Sequence, residues 1–116
     1  MKLRIHSNSI RLRLAKDDVA SLCQNGSVYS VCHFGDNHLT FGVRNTNGED
    51  MIASFAGNRI IVDVPKSLLK GWEDDDRVGF EATDEEGLHI LVQKDFQCLV
   101  PREGEDQENL YPNPQA

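Results

Sequence analysis

Apolar and polar side chains alternate through Lys2–His6 and again through Ile10–Leu14, with Ser7-Asn8 between the two runs. A period of two marks a half-buried strand, so this stretch predicts a hairpin with Arg11 and Arg13 on its polar phase. The period then changes. Val19, Leu22 and Cys23 fall at helical spacing, with Asp17 and Asp18 in the first turn, where the helix dipole favours acids. Asn25-Gly26 is a helix stop. Val28–Phe34 and the run through Leu39, Phe41 and Val43 read as two strands around Gly35-Asp36-Asn37.

The same order returns. Met51–Phe55 and Arg59–Val64 flank Gly57-Asn58. Pro65 suits a first helical position, because its φ is preset and its missing donor costs nothing there. Leu68, Leu69 and Trp72 form the stripe of a short helix. Asp74–Asp76 is a turn, Val78, Phe80 and Ala82 alternate, and Asp84–Gly87 turns into Leu88–Phe96. At a step of fifty residues, Asn8 falls over Asn58, Ile10 over Ile60, Leu12 over Val62, Leu14 over Val64 and Leu22 over Trp72. The unit strand, strand, helix, strand, strand is used twice.

Two such units predict a mainly β or α+β fold, a strongly curved antiparallel sheet or barrel of about eight strands with two short helices. Closure would remove exposed edges. A two-layer α+β sandwich is the alternative. Residues 1–100 form a single domain with pseudo-repeats 1–50 and 51–100. Residues 101–116 are an acidic, proline-containing tail, for which Leu110 and Tyr111 are the natural anchors onto the domain or a partner.

Composition narrows the setting. At 116 residues the chain suffices for one domain and not for two. Nineteen acids against twelve Lys and Arg leave a charge of −7, which argues against nucleic acid and anionic membranes as partners. There is no run apolar enough for a signal peptide or membrane span, and the three cysteines have no framework spacing. A cytoplasmic location is expected. Charge is nonetheless polarised: Lys2, Arg4, Arg11, Arg13 and Lys16 crowd the first residues, whereas Glu73–Asp76 and Asp84–Glu86 are acidic.

Arg4, Arg11 and Arg13, with Lys94, would form an anion pocket if they converge, because each guanidinium donates two parallel hydrogen bonds to phosphate or carboxylate. The plainer reading is a solvated sheet face. Glu73–Asp76 lacks the spacing of a calcium loop. Cys32, His33, Asp36 and His38 flank one hairpin without zinc-site spacing. Cys98 could pair with His89 or His33 only through tertiary contact, and a buried inert thiol suits it better. Trp72 reads as a core anchor. No motif demands catalysis, and no catalytic residue, cofactor or metal is assigned.

Three segments together carry a resemblance: Asn8–Leu14, Ile90–Leu99, and Glu105-Asp106 with Tyr111–Pro114. They resemble a small family of uncharacterised bacterial proteins, a domain of unknown function. The family places a hydroxyl-type cap where Ala15 stands and an acid where Gln93 stands. It implies no activity. The duplicated plan is also similar to that of the triphosphate tunnel enzymes, whose paired-glutamate-and-lysine signature is absent here. The expectation is a non-catalytic cytoplasmic binding or interaction module with an unknown protein partner. The alternative is binding, or hydrolysis, of a small anionic or phosphorylated ligand through the basic sheet face.

Overall fold

The expected order of elements is present in the computed structural model, which describes residues 1–96 and 109–112. Strands β1 (Lys2–His6) and β2 (Ser9–Leu14) lead into helix α1 (Lys16–Asn25), then β3 (Ser27–Phe34) and β4 (Asn37–Thr46). The plan repeats as β5 (Ile52–Ala56), β6 (Arg59–Pro65), α2 (Lys66–Leu69), β7 (Gly79–Thr83) and β8 (His89–Lys94).

Local chemistry explains the joints. Two-residue hairpin loops need left-handed residues, because only the mirror-image turns match the twist of the strands. Gly57 and Asn58 supply them with φ of 57° and 61°, and Ser7 takes 48°. Gly26, at φ 90°, ends α1 and donates its N–H to the Leu22 carbonyl at 3.0 Å. Pro65 ends β6 and stands just before α2 instead of opening it. That helix is one turn long, so Trp72 falls in the turn after it rather than on its stripe, yet it is fully buried.

The hairpins are antiparallel, as expected, but they join one another through parallel pairs. β2 runs parallel to β8 and β4 parallel to β6, giving sheets ordered β1-β2-β8-β7 and β3-β4-β6-β5. The fold is therefore mainly β, with eight strands in two four-stranded sheets, and the described residues close no barrel. Each helix carries the chain from one sheet to the other. Neither half can complete a sheet alone, so each sheet is one hairpin from each half. The repeat is visible in paired hydrogen bonds: His89 donates to the Asn8 carbonyl and Thr40 to the Asn58 carbonyl, each at 3.0 Å. Ile10 and Leu12 lie against Ile90 and Val92, whereas Ile60 and Val62 lie against Phe41 and Val43, one residue out of the fifty-residue step.

The inward positions of both sheets meet in one core. Leu12, Leu14, Val43, Val62, Val64, Ile90 and Val92 pack there with Val19, Leu22 and Trp72 from the helical connections. Burying each aliphatic side chain is worth roughly 1.5–3 kcal/mol, so this shared core couples the halves. No described helix is long and apolar enough to cross a membrane.

Candidate functional site

Alternation along the first hairpin sends Ile10, Leu12 and Leu14 into the core and the cations to the other face. There Arg4 lies directly opposite Arg11, and Lys2 opposite Arg13. The second pair shares the carboxylate of Asp95, which lies 2.9 Å from Lys2 Nζ and 3.9 Å from Arg13. Among the described residues no carboxylate pairs with Arg4 or Arg11. These two guanidinium groups, with His6 and Ser9, line a cleft of about 130 Å³. His6 opposes Ser9, and Ser9 lies beside His89, whose Nε2 is 2.8 Å from Glu81 Oε2. Both arginines thus present guanidinium donors to one cleft.

Lys94 does not join them. It lies beside Leu14 in the β2/β8 register, on the inner face of the same sheet, and is 4% exposed. Its Nζ donates to the Asp75 carbonyl at 2.6 Å and stands 4.8 Å over the Tyr111 ring and 5.7 Å over that of Trp72. Arg77 occupies the Asp75 carboxylate, donating Nε at 2.8 Å and its backbone N–H at 3.0 Å. That hydrogen-bonded cation holds the Asp75 carboxyl below the usual carboxylate range. The same arginine donates to the Leu68 and Lys70 carbonyls, and its own carbonyl accepts from Trp72 Nε1.

The expected tail anchors pack on the domain itself. Leu110 is buried, and Tyr111 donates its N–H to the Asp95 carbonyl at 2.9 Å while bridging Phe96. Burial pushes the Tyr111 hydroxyl up to about 12. Asn109 caps α1 from outside. Its carbonyl accepts from Lys16 N–H at 2.8 Å, its Oδ1 from Asp17 N–H at 3.3 Å, and its Nδ2 donates to Asp17 at 2.7 Å. Ala15 has no side-chain oxygen to do this, and that missing cap was the signal in the sequence for a helper elsewhere.

A family model covers residues 1–115. The chain belongs to DUF7009, a family of unknown function. No curated protein and no solved structure matches it. Membership in DUF7009 assigns no activity, so chemistry must come from the site itself.

Several other candidates in this DUF7009 chain have defined contacts. Glu73 accepts two hydrogen bonds from Gln24, and Asp84 accepts the N–H groups of Glu86 and Leu88 in its turn. His33 and His38 are cross-strand partners with ring centres 6.2 Å apart, but the described residues hold no group of three or more metal-ligating side chains. The Cys23 thiol reaches toward the Leu69 carbonyl at 3.6 Å, and burial pushes it up, away from the reactive thiolate. Cys98, Glu105 and Asp106 lie outside the described residues.

Proposed function

We propose that this chain is a non-catalytic binding module that holds a small oxyanion (phosphate, sulfate or carboxylate) between Arg4 and Arg11. The observation carrying this is their direct opposition across β1 and β2, with no carboxylate against either among the described residues. Like charges opposite each other destabilise a strand pair. A bound oxyanion converts that repulsion into charge-assisted hydrogen bonds. The cleft of about 130 Å³ admits one oxyanion group and leaves the rest of a ligand in solvent. Cytoplasmic residence is part of the proposal, supported by the free thiols of Cys23 and Cys32. The net charge of −7 supports a small ligand over nucleic acid.

The test is an amide NMR titration and thermal shift with inorganic phosphate, sulfate and pyrophosphate. Perturbations should centre on β1 and β2, with a stabilisation of about 1.4 kcal/mol at ten times Kd. Exchanging both arginines, Arg4→Gln with Arg11→Gln, should abolish the response without lowering Tm in the absence of ligand. No response at tens of millimolar anion would overturn the reading.

A protein partner is the second reading, and β3 favours it. This eight-residue edge strand carries no Lys, Arg, Asp or Glu and exposes Tyr29, Val31 and Phe34. Edge strands are ordinarily blunted by charge, bulges or cover. With Leu110 and Tyr111 packed on the domain, this reading rests on β3. Equal recovery of partners by the parent chain and by Val31→Lys in a pull-down would count against it.

A further inference from the structure

Lys94 raises a question the arginines do not. Its ammonium is buried, 4% of the residue being exposed, and carries three N–H donors. Around it the described residues place one carbonyl oxygen, that of Asp75, and two aromatic faces, those of Trp72 and Tyr111. None of their carboxylates forms an ion pair with it, and the Asp75 carboxylate, which feels its charge, is hydrogen-bonded to Arg77. A buried ammonium is costly unless an anion meets it. Ring faces offset part of that cost through their quadrupoles, but among the described residues no carboxylate forms an ion pair with the charge.

The same lysine lines a cavity of about 410 Å³. That volume falls in the range of small-molecule sites, which combine apolar walls with a few polar groups that orient the ligand. Val78, Phe96, Tyr111 and Pro112 supply the apolar wall, and Val78, 48% exposed, keeps part of it open to solvent. Asp76 is exposed, where water and salt screen it. The cavity thus offers one interior cation and an aromatic and aliphatic surface, with Asp75, hydrogen-bonded to Arg77, and the exposed Asp76 at its edge.

We propose that this cavity binds a small organic carboxylate with an apolar or aromatic body, its carboxylate meeting Lys94 and its body lying against Val78, Phe96 and Tyr111. The site is distinct from the Arg4/Arg11 cleft, because the two occupy opposite faces of one sheet. It does not depend on that cleft binding anything.

The test uses the full chain with phenylacetate and its neutral isostere phenylacetamide, followed by calorimetry and NMR. Phenylacetate should bind and shift the signals of Val78 and Tyr111, and phenylacetamide should bind about tenfold more weakly or worse, since a charged hydrogen bond is lost. Lys94→Met should weaken phenylacetate by a similar factor and melt no lower than the parent, because it removes a buried charge without opening a void. Val78→Glu, at an exposed position, keeps the fold and should also weaken binding by repelling the carboxylate. The Arg4→Gln/Arg11→Gln variant should bind phenylacetate like the parent. Equal affinity for the acid and the amide, undiminished binding by Lys94→Met or Val78→Glu, or no binding of phenylacetate at ten millimolar would each overturn the proposal.

Discussion

The two sheets follow one plan inside and diverge outside. Lys2 opposes Arg13 and Arg4 opposes Arg11 on the outer face of the first. Fifty residues on, Ile52 opposes Asp63 and Ser54 opposes Ile61 on the second. Inward, the same step only exchanges one aliphatic side chain for another: Ile10 with Ile60, Leu12 with Val62, Leu14 with Val64. Close packing explains the contrast. An inward position must fill a defined volume in a core as dense as a crystal, whereas an outward one is free to take up chemistry. The anion candidate therefore exists on one sheet only. Lys94 and the segment around Asn109–Tyr111 add a second asymmetry at the first sheet's inner face.

The equivalence of the two halves bears its largest energetic load in the core. Leu22 and Trp72 stand fifty residues apart and are both 0% exposed. Trp72→Ala should cost about 3–5 kcal/mol and Leu22→Ala about 2–5 kcal/mol in urea denaturation. A loss under about 1 kcal/mol at either site would show that the two halves do not fill the core in equivalent ways.

The Asn109 cap on α1 offers a smaller effect. Asn109→Ala removes the only described side-chain cap on the α1 N-terminus from outside the helix and should cost about 1 kcal/mol. In an Ala15→Ser background, where the helix carries its own cap, the same exchange should cost less. Strictly additive losses in the double-mutant cycle would refute a shared capping role.

Tyr111 gives a test at high pH. Its folded pKa, raised by burial from the ordinary 10 to about 12, favours the neutral hydroxyl. The stability linked to it is complete below pH 10 and is lost as pH rises toward 12. Absorbance titration should find Tyr111 ionising above the ordinary tyrosine range, and Tyr111→Phe should flatten that alkaline loss. Ionisation of Tyr111 near pH 10 would contradict its packing at Asp95 and Phe96.

The smallest effect lies at the acid end. The Asp75 carboxyl is depressed from 3.8 by Arg77, so its contribution is present above that pH and is lost as pH falls below it. Asp75→Asn should leave neutral-pH folding nearly unchanged and make the acid limb slightly shallower in a series of melts from pH 5 to pH 2. An identical acid limb would mean that the exposed pair carries no net stability.

Hairpins were legible in the sequence because their information is local. Ser7-Asn8 and Gly57-Asn58 specify tight turns, period-two alternation specifies faces, and Gly26 stops a helix whatever surrounds it. The outward direction of Arg4, Arg11 and Arg13 follows from the same parity. Lys94 was legible in part: it shares parity with Ile90 and Val92, both fully buried, but the unbroken apolar run Ile90-Leu91-Val92 blurred which face was inward.

Tertiary structure alone decided how the hairpins join. Parallel and antiparallel partners leave the same alternation in a strand, so nothing local distinguishes one eight-stranded sheet from two four-stranded sheets exchanged between halves. Nor could composition reveal that an acidic tail returns Asn109 to cap α1 and lays Tyr111 over Lys94. Those contacts join residues more than ninety and about seventeen positions apart, respectively, where the long-range packing of the whole chain, and not any single window of it, sets the outcome.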